Sequence, residues 1–118
     1  MNSQFNTYLL DEALIRRKEA LEQERQTILN QVQQWLEYNG NQYGIDRAYL
    51  FGSLTRPHQF TPQSDIDLAV ELIAPECLFL AMTALVEATA REVDLIELSK
   101  CPFAHRIRQE GILWTKTP

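Results

Sequence analysis

Two aspartates at the start of an apolar run, Asp65 and Asp67, are the first residues of this chain that suggest chemistry. If the run from Ile66 to Leu72 forms a β-strand, both carboxylates project from one face, about 6 to 7 Å apart along the strand. Aspartate is disfavoured in strands and like charges at this spacing repel each other, so the pair requires compensation. A divalent cation would supply it, and carboxylate and water oxygens are the ligands that Mg²⁺ prefers.

A third aspartate, Asp94, lies in a second segment of alternating polar and apolar residues, 92–98. If this segment is a strand next to the one that carries Asp67, three carboxylates converge around one or two magnesium ions, a geometry suited to phosphoryl and nucleotidyl transfer. Each feature alone is weak, because an isolated pair of alternating aspartates lies more often at a solvated edge or turn. The order of the features along the chain, rather than any single residue, favours a site.

Upstream of these aspartates, the apolar segment 47–51 ends at Gly52 and Ser53. A glycine directly after a strand lets a phosphate approach the backbone closely, and the exposed amides of the following turn can bind an anion. Ser53 adds a hydroxyl donor, and Arg56 could reach phosphate oxygens with its fork of N–H groups. A lone Gly-Ser pair is equally compatible with an ordinary turn.

The order of the predicted elements indicates an α+β fold, a small mixed sheet with helices packed on one face. Apolar periodicity and glycine or proline stops give the following segments: helix 8–38, strand 47–51, loop 52–64, strand 66–72, helix 76–90, strand 92–98, helix 102–109 and a possible strand 112–115. We expect a single domain, 1–118, with a helical N-terminal extension at 1–40 and a catalytic core at 45–115.

The long helix carries an apolar stripe of residues that recur every seven positions: Leu14, Leu21, Ile28 and Trp35. This spacing places them on one side, and we assign the intervening charged residues, Arg25 among them, to the other faces. The stripe broadens towards the end of the helix, so the second half should cover the sheet and the first half should reach outwards. Two interpretations remain for the helix: a cover for the core, or a surface that docks a partner or a second copy through Leu10, Leu14 and Leu21.

Composition and charge limit the classes of partner. The chain has 118 residues and a net charge of −5, so it has no basic excess for a nucleic-acid backbone, and we expect no direct nucleic-acid binding. Its two cysteines, Cys77 and Cys101, are far apart and have no zinc-binding spacing. No signal peptide or membrane-spanning run is recognisable, which favours a cytoplasmic protein without membrane contact.

The segment L-F-G-S-L-T-R-P-H-Q-F-T-P-Q-S-D-I-D-L-A-V (50–70) resembles the signature of the polymerase-beta-like nucleotidyltransferase superfamily. Within it, the chain is most similar to the minimal nucleotidyltransferases, the antitoxin partners of HEPN toxins. The resemblance covers residues 45 to 115, including the strand pattern E-V-D-L-I-E-L and the tail E-G-I-L-W. It departs after the arginine of the loop, where small residues are common in the family and this chain has Pro57, His58, Gln59 and Phe60.

The resemblance implies a nucleotidyltransferase fold and a role for each matching residue. The metal ligands would be three carboxylates that hold two Mg²⁺ ions: Asp65, Asp67 and Asp94. Asp94 would also help to activate the attacking hydroxyl. The nucleoside triphosphate would be bound by the turn and the loop that follow the first strand, through Gly52, Ser53, Arg56 and Ser64.

The implied activity is Mg-dependent transfer of AMP from ATP to a tyrosine of a cognate HEPN ribonuclease toxin. The chain would then be the antitoxin of a type VII-like HEPN/MNT toxin–antitoxin system, with the HEPN toxin and ATP as partners. Two alternatives remain: a non-catalytic antitoxin that neutralises the toxin by binding, and a nucleotidyltransferase that modifies a small molecule or an RNA end. A homo- or hetero-oligomer is compatible with the sequence.

Overall fold

A computed structural model describes residues 7–117, so residues 1–6 of the predicted helical extension and Pro118 lie outside the described part of the chain. It contains three α-helices, α1 (Thr7–Asn39), α2 (Pro75–Thr89) and α3 (Ala104–Glu110). Four strands form one sheet: β1 (Arg47–Phe51), β2 (Ile66–Val70), β3 (Val93–Glu97) and β4 (Ile112–Thr115). The predicted elements are therefore present, with β2 two residues shorter at its end than the sequence pattern indicated.

The sheet is mixed, with the strand order β3-β2-β1-β4. The inner strand β1 is antiparallel to both β2 and β4, whereas the other inner strand, β2, runs parallel to β3. The parallel pair requires a crossover connection, and α2 supplies it. A long N-terminal helix, a small mixed four-stranded sheet and further helices constitute the predicted α+β nucleotidyltransferase fold, which is confirmed.

The alternation of side chains along β2 separates two apolar clusters on opposite faces of the sheet. On one face, Ile66, Leu68 and Val70 pack in the main core with residues of α1 and α2. On the other face, Ala69 packs with Ala104 and Ile107 of α3. The expectation that all helices lie on one face is thus wrong for α3, because the short chain after β3 returns on the opposite side of the sheet.

Helix α1 packs on the domain only through its second half. The core contains Val32, Trp35 and Leu36, and Trp35 stacks on Tyr43 at 5.6 Å between ring centroids. The first half projects beyond the sheet and leaves Leu10 and Leu14 exposed, so that the molecule measures 65 × 27 × 25 Å. The predicted outward reach of this half is confirmed. None of the helices in residues 7–117 combines the length and apolar character needed to cross a bilayer.

Arg25 corrects one assignment made from the sequence. We assigned it to a face of the long helix other than the apolar stripe, yet it is 5% exposed and is the only buried charged residue in the described chain. Arg25 precedes Ile28 and Leu29 by three and four positions, which puts it on the same face as these core residues. The spacing of the apolar residues therefore places Arg25 on the buried face of the helix, and only its charge suggested an exposed position.

Candidate active site

The turn after β1 lies directly against the carboxyl group of Asp67. Gly52 has φ of +77° and begins a single 3₁₀ turn, Gly52–Thr55. A Cβ atom at Gly52 would lie 2.1 Å from Oδ2 of Asp67 and 3.1 Å from its Cγ. Both the left-handed backbone and this close approach require glycine. The backbone of Gly52, which has no side chain, therefore lies directly against the Asp67 carboxylate.

Asp67 and Asp94 lie next to each other on the parallel strands β2 and β3, because the register pairs them directly. Directly paired residues of neighbouring strands project from the same face of a sheet. This is the face that also carries α3, since Ala69 and Ile96 of the same alternation belong to the α3 cluster. The sequence predicted convergence of these carboxylates only if the two strands were neighbours. The strands are neighbours, and this brings Asp67 and Asp94 together.

Asp65 lies just before β2 and is exposed. The amide of the next residue, Ile66, donates a hydrogen bond to the Glu92 carbonyl at 2.9 Å. This bond holds Asp65 beside the start of β3. Among residues 7–117, no group of three or more Asp, Glu, His or Cys side chains forms a ready metal cage. The described site thus consists of the Asp67–Asp94 pair, with Asp65 at its margin.

The surroundings of Asp67 disfavour the ionised form of its carboxyl group. Burial, and to a lesser extent the charges of Asp94 and Asp65, together raise its pKa to about 6. None of the ion pairs within residues 7–117 involves these three aspartates. A half-buried carboxylate with two acidic neighbours attracts cations. The donor set fits Mg²⁺, which is commonly held by one or two carboxylates, waters and substrate phosphates rather than by a closed protein cage.

The two ends of the loop that joins β1 to β2 meet through serine hydroxyls. Ser53 donates a hydrogen bond from its Oγ to Oγ of Ser64 at 3.0 Å, and the Thr61 amide donates to the same Ser64 oxygen at 2.9 Å. The predicted nucleotide-binding residues Ser53 and Ser64 are thus in direct contact. Their binding to a phosphate stays a prediction.

A cavity of about 410 Å³ opens beside Gly52, between the 3₁₀ turn and α3. Its lining combines two guanidinium groups with aromatic and aliphatic side chains: Phe51, Gly52, Thr55, Arg56, Phe103, Arg106, Ile107 and Glu110. Arg56 lies 3.8 Å from Glu110, and Arg106 lies 3.4 Å from the same residue. Because such exposed ion pairs are weak, both arginines can exchange Glu110 for a phosphate at little cost.

Arg106 and Phe103 are candidate site residues that the sequence reading did not single out. In the sequence, Arg106 stands four residues before Glu110 on a short polar helix, which is the spacing of a solvated ion pair. Only the packing of α3 over the β1 side of the sheet brings both residues beside Gly52. No local sequence signal marks this contact.

A second cavity, of about 440 Å³, lies between α2 and the edge strand β3. Asp65 and Asp94 line it together with Met82, Thr83 and Val86. The site therefore borders two separate cavities. The first includes Gly52, which lies against the Asp67 carboxyl, and the second is lined by Asp65 and Asp94.

The sequence model of the family described as "Polymerase beta, Nucleotidyltransferase" matches residues 30–117, well over half of the chain. The chain belongs to this nucleotidyltransferase family. No curated protein and no solved structure matches the chain. The family match begins within the packed half of α1 and includes the glycine turn, all three aspartates and both arginines of the first cavity. It supports a nucleotidyltransferase-type function for this polymerase beta family member.

Proposed function

We propose that the protein transfers AMP from ATP to a hydroxyl group of a partner protein, a tyrosine of a cognate HEPN toxin. The observation that carries this proposal is the contact of the Gly52 turn with the carboxyl of Asp67, which is itself paired with Asp94. A phosphate bound at the glycine turn would lie next to both carboxylates, and this is the neighbourhood that nucleotidyl transfer requires.

The triphosphate is assigned to the cavity between the 3₁₀ turn and α3. Its β and γ phosphates would accept hydrogen bonds from the turn amides and the Ser53 hydroxyl, while Arg56 and Arg106 would neutralise their charge. Phe103, half exposed at the rim, offers a surface for the base. An acidic protein can bind a polyanion here because its donors are concentrated at one point.

Asp65, Asp67 and Asp94 would hold magnesium, which would lower the pKa of the attacking hydroxyl and neutralise the leaving pyrophosphate. The carboxylates also act directly. Asp94 borders the cavity beside α2 and is exposed, so it can accept the proton of a hydroxyl that arrives from that side. The hydroxyl oxygen forms a bond to the α-phosphorus, and the bond from that phosphorus to the bridging oxygen breaks. Pyrophosphate leaves with that electron pair.

The acceptor is assigned to the cavity beside α2. Met82, Thr83 and Val86 give this cavity an apolar wall, and Asp65 and Asp94 form its acidic margin. An aromatic ring that carries a hydroxyl, as in tyrosine, matches both parts of this lining. The neighbouring outer face of α2 exposes Phe79 and Leu80, which supports a protein rather than a small molecule as the carrier of the hydroxyl.

A second candidate is an antitoxin that neutralises its partner by binding alone. The exposed apolar side chains on the projecting half of α1 support this function, because they need no active site. They include Leu9, Leu10, Leu14 and Ile15, each about half exposed or more.

Intact-mass measurement of the partner toxin after incubation with this protein, ATP and Mg²⁺ separates the two functions. Transfer adds one or more AMP units to the toxin, whereas binding alone gives a stable complex of unchanged mass. Asp65→Asn combined with Asp67→Asn should abolish transfer while the protein stays folded. Asp46→Asn, an exposed aspartate just before β1, serves as the matched control. Full transfer by the double variant would refute the assignment of the carboxylates.

A further inference from the structure

The loop from Gly52 to Ser64 carries the proposed nucleotide contacts but forms no strand. Its side chains and carbonyls are therefore fixed by individual polar contacts rather than by a hydrogen-bond ladder. Two arginines outside the loop supply the contacts at its two ends. Arg25 on α1 holds the first end, and Arg91, in the turn between α2 and β3, holds the second.

Arg25, on α1, donates a hydrogen bond to the 3₁₀ turn. Its Nη1 donates to the Leu54 carbonyl at 3.0 Å, and Leu54 is fully buried. Its Nε and Nη2 donate to the two carboxylate oxygens of Glu22 at 3.0 and 2.7 Å. Glu22 thus fixes the guanidinium plane with a bidentate contact, and the remaining nitrogen is aimed at the turn. Glu22 is partly exposed, so water can solvate its carboxylate if Arg25 is replaced, whereas the bond to the Leu54 carbonyl is buried. The bond to the turn is therefore what arginine adds at this position.

Arg91 performs the equivalent task at the other end. Its Nη2 donates to the carbonyls of Ser64 at 2.7 Å and Pro62 at 3.1 Å, directly before Asp65. Its Nη1 donates to Glu24 of α1 at 3.2 Å. The guanidinium carbon also lies 5.3 Å from the ring centroid of Phe60. One guanidinium therefore joins α1, the loop and the start of β2.

Both arginines are anchored on the same turn of α1, because Glu22 and Glu24 are only two positions apart on that helix. Between the two anchored ends, the Ser53 and Ser64 hydroxyls bond to each other. We infer that Arg25 and Arg91 are positioning residues that use α1 as a rigid support and set the nucleotide loop against the Asp67–Asp94 pair. This inference rests on the proposed function, since the loop is taken to bind ATP.

The expected result of releasing one end is weaker ATP binding with little change in acceptor binding. A hydrogen bond to a charged group corresponds to about a ten- to hundredfold change in an equilibrium constant. We therefore expect Arg25→Met and Arg91→Met each to raise the KM for ATP by about tenfold or more. The KM for the acceptor should stay within about twofold. Arg25→Lys keeps the charge but has no planar fork, so it should restore only part of the affinity.

Arg108→Met is the matched control. Arg108 also forms a bidentate pair with a glutamate, Glu71, at 3.0 and 2.8 Å, but it makes no hydrogen bond to the loop within the described chain. Loss of this pair should leave the KM for ATP unchanged. If Arg25→Met and Arg91→Met behave like Arg108→Met while the wild type is active, the inference is wrong.

Hydrogen exchange of the full chain without ATP makes the test independent of activity. Arg25→Met should accelerate exchange in the amides of 52–55, and Arg91→Met should accelerate it in 61–65, with the sheet amides protected as in the wild type. A wild type that neither binds nor uses ATP would overturn the proposed function but not this result. Unchanged exchange at both ends would overturn the positioning role. Variants that lose protection throughout the sheet would also contradict it, because the arginines would then support the whole fold.

Discussion

Asp67→Asn should stabilise the protein at neutral pH, even though it removes a residue of the proposed site. The pKa of Asp67 is raised from 3.8 to about 6 in the folded chain, chiefly by burial and then by the charges of Asp94 and Asp65. A raised pKa means that the folded state disfavours the ionised carboxylate. Ionisation therefore lowers the free energy of unfolding, and the neutral amide of asparagine escapes this cost.

The magnitude follows from the size of the rise. Each pKa unit corresponds to 1.36 kcal/mol, so a rise of this size would amount to about 3 kcal/mol in a dry site. Asp67 is only half-buried, and solvent screening reduces the effect. We expect a gain of about 1 to 2 kcal/mol in the free energy of unfolding for Asp67→Asn at pH 7.5 without Mg²⁺.

The pH dependence of stability shows whether ionisation of Asp67 stabilises or destabilises the folded state. Below pH 3.8 the carboxyl is protonated in both the folded and the unfolded state, so the wild type and the variant should be equally stable. Between pH 3.8 and about 6 the unfolded state releases its proton first, and the stability of the wild type falls relative to the variant as the pH rises. Above pH 6 the difference is complete.

Urea unfolding at pH 4, 5, 6 and 7.5 measures this difference directly, with Asp46→Asn as a control that should show none of it. Addition of Mg²⁺ at pH 7.5 should stabilise the wild type and reduce the advantage of the variant. If Asp67→Asn is less stable than the wild type at pH 7.5, or if its advantage persists at pH 4, the cost of ionising the half-buried Asp67 carboxylate is not the dominant effect.

Three further predictions concern the backbone and the long helix. Gly52→Ala should destabilise the fold by about 2 kcal/mol or more in urea unfolding, because its Cβ would overlap Oδ2 of Asp67 at a φ of +77°; an effect below about 1 kcal/mol would contradict the close approach. Ala90→Gly should stabilise by about 1 kcal/mol in the same assay, since Ala90 ends α2 with φ of 57°; a loss of stability would contradict this. Deletion of residues 1–20 should leave the melting temperature within a few degrees, because every residue from 7 to 20 lies outside the core; aggregation of the truncated chain would show that this half of α1 is a needed cover.

The elements of the fold were predictable because their sequence signals are local. Periodicity marked the helices, alternation marked the strands, and glycine after β1 marked the turn. The pairing of Asp67 with Asp94 was only conditionally predictable, because it requires β2 and β3 to be parallel neighbours. That pairing depends on the crossover through α2, a tertiary feature that neither strand encodes alone.

The remaining features depend on packing between distant segments. Arg106 lines the cavity beside the glycine turn only because α3 returns to the face of the sheet opposite α1. Arg25 is buried because Glu22 and the Leu54 carbonyl compensate its charge, and a residue 29 positions away cannot be inferred from local periodicity. A charged residue on an apolar stripe of a helix is the signal that could have indicated a buried contact.

The outward run of α1 affects how the size of the protein is measured in solution. The radius of gyration of 17.7 Å exceeds the value of about 13 to 14 Å expected for a compact chain of this length. A lone copy will therefore tumble more slowly and leave a gel-filtration column earlier than a spherical standard of equal mass. Column calibration would overestimate its mass, so the stoichiometry of its assemblies must come from light scattering or sedimentation equilibrium.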